Sequence, residues 1–305
     1  TGNVGVGGLA LSGASTGTNN TAVGFQASRY MTTASSITAI GYLAGGGTGG
    51  ATVMTGNDNV LVGALSGKSI TSGTRNVAVG NSAMENGTLT GADNTAVGHN
   101  SLNSLTSANY NTAVGAYTLD ANTTGDNNIA IGRSALGVNT TGASNTAVGT
   151  FSLDANTTAA NNTAVGYSAL TANTTGAQNT SVGMNALYGN TTGTDNTGIG
   201  QGALQSNTTA SNNTAVGKAA LSVNTTGGNN TAVGKGALDA NTTAVSNTAV
   251  GAACLTTNTT GASNVAMGVS ALEGNTTGDQ NVAFGNNSLG ANTTADNNTA
   301  VGHNS

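Results

Sequence analysis

Thr146, Thr163, Thr180, Thr197, Thr214, Thr231 and Thr248 stand seventeen residues apart, and Val265, Val282 and Thr299 continue the step. A fixed short period constrains the fold more than any other property of this chain, because near-identical segments stack on one another. One unit reads Asn-Thr-Ala-Val-Gly-x-x-Ala-Leu-x-x-Asn-Thr-Thr-Gly-x-x, as at Asn162 to Gln178. Helical-hairpin repeats need roughly 30 residues or more. Seventeen suits one turn of a parallel β-solenoid, an all-β fold. Upstream the Asn-x-x-Val-Gly signature recurs at Val6, Val23, Ile40, Val62, Val79, Val97, Val114 and Ile131, which makes eighteen signatures in all. With one coil per strand spacing of about 4.8 Å, the array is expected to be a rod on the order of 85 Å long.

Two steps are irregular. Gly41 to Gly63 spans 22 residues and Gly80 to Gly98 spans 18. The first is expected to push out a Gly-rich loop near 45–56, and the second one extra residue between Asn86 and Thr90. Residues 1–305 otherwise read as a single continuous repeat array. The chain starts and stops in mid-repeat, at Thr1-Gly2-Asn3 and His303-Asn304-Ser305, with no cap in sight for the open ends of a solenoid. The expectation is therefore a segment of a longer fibre.

Composition removes several function classes. Only 6% of residues are charged, and the net charge is −5. Disordered chains are usually charge-rich. The 48 glycines follow no Gly-X-Y period and there is no proline, which excludes collagen. Six Lys and Arg make no basic stripe for nucleic acid. No apolar run is long enough to cross a membrane as a helix, and no signal peptide opens at Thr1.

Numbering each unit from its Asn as position one separates restricted columns from free ones. Position four is Val, Ile, Met267 or Phe284 and never polar. Position three is Ala almost throughout, and position five is always Gly. Position eight takes Ala, Ser, Thr118 or Cys254, and position nine is Leu from Leu102 onward. Position six holds Phe25, Tyr42, His99, Arg133, Gln201 and Lys218, a mixture that only solvent tolerates. All 17 charged residues (11 acidic and 6 basic) fall at positions six, ten, sixteen and seventeen. An unpaired charge costs several kcal/mol to bury, which accounts for their exclusion elsewhere.

Successive side chains of a strand point to opposite faces. Positions three and four both refuse large polar residues, so both faces of the Thr-Ala-Val-Gly strand are expected to be buried. One would fill the coil interior and the other pack on a neighbouring chain. The Ala column at position three or the Ala column at position eight is the expected contact, and the Thr column at position two, which alternates with Val60, Val77, Ile129, Val265 and Val282, is expected to face inward.

The Asn-Thr-Ala-Val-Gly segments at 162–166 and 230–234, and Asn-Val-Ala-Met-Gly at 264–268, resemble the head repeats of YadA-like trimeric autotransporter adhesins. They are similar also to repeats of phage tail fibres. The resemblance spans essentially the whole chain. It implies a left-handed parallel β-roll, three copies side by side as a homotrimer, and a structural role as an extracellular fibre or adhesin shaft at a cell surface. A phage tail-fibre shaft on a virion is the alternative. The regular 17-residue unit with its Asn-Thr-Thr-Gly half departs from the shorter adhesin coil, and no coiled-coil stalk, membrane anchor or self-cleaving chaperone domain is present.

No catalytic, cofactor or metal site is expected, and the chain is not read as an enzyme. His99 and His303 sit at the solvent position six, twelve coils apart. Cys254 replaces a small residue and has no intrachain disulfide partner. The carboxylates do not pair, and Asp is too sporadic for a Ca²⁺-binding solenoid. Asn122 to Asn292 each open an Asn-x-Thr glycosylation sequon, but a glycan on every coil would be too crowded, so a ladder of stacked amides is expected. The expected partners are further copies of the chain, as a trimer or filament, and an unknown surface receptor or glycan met by outer residues such as Phe25, Tyr42, Tyr117, Phe151, Tyr167 and Tyr188. A second class is an ice- or surface-binding solenoid. It would need an outward face of regular Thr, against which the inward reading of position two argues, although the second Thr of each Asn-Thr-Thr, at position fourteen, is free to face out.

Overall fold

The computed structural model describes residues 2–47 and 53–305. The chain packs as two compact units, residues 1–158 and 159–305. The first carries nine parallel three-residue strands, from β1 (Val4–Val6) to β9 (Thr146–Val148). The second carries nine more, from β10 (Thr163–Val165) to β18 (Thr299–Val301). The fold is all-β, a parallel β-solenoid of about 17-residue coils, with no helix among the described residues. Every strand coincides with positions two to four of a signature. Neighbouring strands within a unit pair residue for residue, as in Thr197↔Thr214, Gly198↔Ala215 and Ile199↔Val216.

Hydrogen bonds between coils continue outside the strands. The Leu187 N–H reaches Ala203 O at 2.9 Å, Gly189 reaches Gln205 O at 2.8 Å, and Thr191 reaches Thr208 O at 2.8 Å. A buried backbone group without a partner is costly, and this ladder satisfies the coil on more than one wall. Sharp corners come from left-handed backbone. Position five is Gly because φ there is +138° at Gly166, and a Cβ would lie 2.6 Å from Gly183 O. Positions seven, nine and seventeen are also left-handed, as at Asn185 (φ 56°), Leu187 (φ 50°) and Asp195 (φ 58°). The Asn and Asp residues that recur at position seventeen are among those that tolerate this region best. Leu at position nine is not. Its strain of about 1–2 kcal/mol is offset by burying the whole side chain, worth about 1.5–3 kcal/mol, since Leu170, Leu187 and Leu204 are fully buried.

The strand faces are arranged otherwise than the sequence suggested. Ala at position three is fully buried, at Ala147, Ala164 and Ala232 alike. Thr at position two is only partly covered, and the residue at position four is exposed or nearly so. Val165 keeps 36% of its surface, Ile199 39% and Phe284 40%. Period-two alternation puts positions two and four on one side, and that side is the outside. The inward reading of the Thr column is therefore corrected. So is the placement of the Ala columns at positions three and eight in a contact between chains, because both line the interior of their own coil. Position three is small because Leu from position nine meets it across the coil. At Gly198 an added Cβ would lie 3.2 Å from Leu187 Cγ.

One stretch swaps these volumes. Leu61 replaces Ala at position three and is fully buried. Gly45 replaces Leu at position nine in the coil before, and Gly67 does so in the same coil. A Cβ on Gly45 would meet Leu61 Cδ1 at 2.8 Å, and one on Gly67 would overlap the Leu61 methyls. Residues 48–52 of the Gly-rich insertion near 45–56 lie outside the described residues. Its C-terminal flank returns Met54 to the core, bridged in parallel with Met31, and the second irregular coil returns Leu89, bridged with Ile70.

Position twelve divides the core into two chemistries. Met31, Ile70 and Leu105 fill it in the early coils. From Asn122 onward it is an Asn ladder, with Asn139 donating to Asn122 Oδ1 at 3.1 Å and Asn207 to Asn190 Oδ1 at 2.8 Å. The expected amide ladder is thus present. Asn139, Asn173 and Asn190 are fully buried, so these sequons are closed in the folded protein. A second ladder runs through position one. Asn179 donates its backbone N–H to Asn162 Oδ1 at 2.9 Å and its amide to Gly193 O at 2.8 Å.

Candidate interaction surfaces

Since side chains repeat in register, the exterior is a set of columns, and each column has its own rule. The outward strand face carries positions two and four. Position two alternates Thr with Val and Ile, which keeps the β-branch and dispenses with the hydroxyl. Position four is apolar in every coil, yet Met267 and Phe284 stand in it beside Val and Ile, so its size is not fixed. No charged residue enters either column.

The column at position fourteen obeys the reverse rule. It is Thr in fifteen of seventeen coils and Ser at Ser72 and Ser107, so the hydroxyl is kept and the methyl is not. All of these residues are exposed. The neighbouring Thr at position thirteen turns its hydroxyl to the next coil, as Thr191 Oγ1 does to Thr208 O at 3.1 Å. That carbonyl also accepts the backbone N–H of Thr191 and of Thr192.

Position six carries large exposed side chains, as the sequence indicates, and position seven carries others, such as Tyr117 and Phe151. Phe25 and Tyr42 stack in adjacent coils with ring centres 6.1 Å apart and planes 6° from parallel. His99 meets Tyr117 edge-on at 5.2 Å, and the Arg133 guanidinium lies 5.0 Å from the Phe151 ring centre. Tyr42 and Tyr167 at position six keep 53% and 55% of their surface, and Tyr188 at position ten keeps 44%. These contacts link coils along the array and leave ring edges outward.

Ionisable groups are spread out. Arg75 holds Asp93 one coil on through two hydrogen bonds of 2.7 and 2.8 Å, which keeps the Asp93 carboxyl below the usual carboxylate range. Lys68 pairs with Glu85 at 3.2 Å. Partial burial raises the carboxyls of Asp120 and Asp154 at position ten, opposed by His99 and Arg133 respectively. Cys254 is fully buried, its thiol donating to Ala266 O at 3.2 Å, and burial pushes its pKa up to about 12. Among the described residues no three His, Cys, Asp or Glu side chains converge on one point. A hollow of about 670 Å³ opens at the last coil between Leu289, Asn292, Asn298 and Ser305. Leu289 and the two Asn belong to columns that form the core in other coils, and the hollow has no charged wall.

No protein-family model matches this chain, and no curated protein matches it.

Proposed function

We propose that the chain is the shaft of an extracellular fibre or adhesin, in which parallel copies associate side by side, as a homotrimer, through the outward strand face. The single observation that carries this reading is the apolar column at position four. It faces solvent in the isolated chain, and polar residues are absent from it although they are free to enter positions six, ten, sixteen and seventeen. An exposed contiguous apolar strip on a soluble chain marks an interaction surface. Its tolerance of Met267 and Phe284 suits packing against another protein surface, where local repacking absorbs differences in size. A parallel copy has the same coil spacing, so its columns meet those of the first chain in step. Aromatic residues such as Tyr42 and Tyr167 are then available to a receptor or glycan, at a cell surface or, in the alternative of a viral tail fibre, on a virion.

The test is molar mass by light scattering at micromolar concentration. The parent chain is expected to be a stable oligomer. Val165→Asp combined with Val182→Asp is expected to give a monomer with an unchanged circular-dichroism spectrum, and Lys218→Asp at position six to leave the mass unchanged. A monomeric parent, or Val→Asp variants that assemble normally, would overturn the reading.

A further inference from the structure

We propose that the hydroxyl column at position fourteen is a binding face for ice, a lattice of ordered water. The proposal concerns a column separate from the strand face, and it does not depend on self-association.

Its first support is the chemical rule of the column. A solvent-exposed position in a repeat array drifts, as position six does across Tyr167, Met184, Gln201, Lys218 and Lys235. Position fourteen has not drifted in any coil, and its two departures keep the hydroxyl. Position two is the internal control. There Thr gives way to Val and Ile, so a demand for β-branched shape does not explain position fourteen. A demand for an oxygen does.

Its second support is that the fold does not use this oxygen. In the second unit the hydroxyls of Thr192, Thr209, Thr226 and Thr243 make no hydrogen bond with the chain among the described residues, whereas position thirteen in the same coils bonds the next carbonyl. The exceptions explain themselves. Thr55 and Thr90 bond the next coil at 3.5 and 3.3 Å, and each follows a buried Met54 or Leu89 that has no hydroxyl to offer.

Its third support is rigidity and spacing. The segment before each of these threonines is pinned by the buried Asn ladder at position twelve and by the shared carbonyl at position thirteen. The hydroxyls therefore repeat at one strand spacing, about 4.8 Å, close to the oxygen repeat along the a axis of ice. Each is flanked by its own methyl group, and no charge enters positions twelve to fifteen. A flexible polar ligand needs neither constancy nor a regular spacing of oxygens, but a crystal face needs both. Preorganisation removes the ordering cost that free hydroxyls would meet at that face.

The experiment measures the gap between melting and freezing points of a single ice crystal, and partition of the protein into a slowly growing ice front, with the full chain. The parent is expected to give a measurable gap and to be enriched in the ice. Thr209→Lys combined with Thr226→Lys is expected to reduce both at least several-fold, with unchanged circular dichroism and unchanged molar mass by light scattering. Lys218→Asp is expected to change neither. A parent with no gap and no enrichment, or Lys variants equal to the parent, would overturn the proposal. Retention on a crystalline polysaccharide, lost in the same variants and without any effect on ice, would overturn it in favour of a sugar lattice.

Discussion

The side-chain amide of Asn190 donates to Asn173 Oδ1 in the preceding coil at 2.9 Å, and both side chains are fully buried. Asn190 also donates to Gly193 O at 3.0 Å and accepts from Asn207 at 2.8 Å. The residue is therefore one rung of a satisfied polar column inside an otherwise apolar coil. Asn190→Leu is expected to destabilise, although Leu105 fills the equivalent position without difficulty. Leu105 belongs to the apolar stretch below the ladder, while a Leu at 190 would take a donor from Asn173 Oδ1 and Gly193 O and an acceptor from the Asn207 amide, which would keep its bond to Ala210 O. Leaving buried groups unsatisfied costs about 1–3 kcal/mol each. Denaturant unfolding of the parent and the variant, with hydrogen exchange of Asn207 and its neighbours, checks both the size and the location of the loss.

Gly166→Ala is expected to be among the most damaging small substitutions. The backbone at +138° lies where L-residues rarely go, and the new Cβ would press on Gly183 O. Backbone strain of this kind costs roughly 1–3 kcal/mol before any steric clash is added. Gly236→Ala is the matched control, since φ there is +65° and nothing lies within 4 Å of an added Cβ. The expected ordering of thermal midpoints is Gly166→Ala well below Gly236→Ala, with the latter near the parent.

These two sites show what was legible in the sequence. The period and the invariant Gly at position five by themselves locate all eighteen strands and their parallel register. The Asn ladder follows from crowding alone. The direction of the strand faces does not follow. An apolar column at position four and an Ala column at position three both read as buried, and only the three-dimensional coil shows that Leu187 fills the interior opposite position three. A sequence signal for the correct answer existed in Leu61, where a large residue at position three coincides with Gly45 and Gly67 at position nine. Position fourteen was visible as a hydroxyl column, but whether it used its oxygens internally was not, because that depends on which way each Thr of the pair turns. Leu in left-handed backbone, as at Leu187, carries no local signature at all.

The raised carboxyls give a pH prediction with a definite sign. Burial holds Asp120 above its ordinary value in the folded state, so the folded protein binds a proton more tightly than the unfolded chain does. Its contribution is favourable at acid pH and is lost as pH rises from the ordinary carboxylate value through the higher folded value. Asp120→Asn removes that loss. The variant is expected to gain on the parent as pH rises above the ordinary carboxylate value of about 4, and to level off once pH passes the higher folded value. Asp93 has the opposite sign, because Arg75 lowers it, and Asp93→Asn should lose stability relative to the parent at neutral pH and converge with it as pH falls. Thermal midpoints across the pH range for both variants read the two slopes.

Leu61 and Gly67 test whether interior volume is shared between positions three and nine. Leu61→Ala alone removes most of a fully buried side chain and is expected to cost about 2–5 kcal/mol. Gly67→Leu alone drives a side chain into the Leu61 methyls and against Ile70, which is expected to cost about 1–3 kcal/mol. The backbone itself accepts the change, since Gly67 has φ +57° and Leu102, Leu119 and Leu136 take +49 to +51° at the same position. Together the two substitutions restore the Ala-plus-Leu pairing of the regular coils, and the double variant is expected to be more stable than either single one. Contact between two residues shows as a coupling of about 0.5–3 kcal/mol in a double-mutant cycle. Strict additivity would mean that the two columns do not exchange volume, and the complementarity of Leu61 with the glycines would then need another cause.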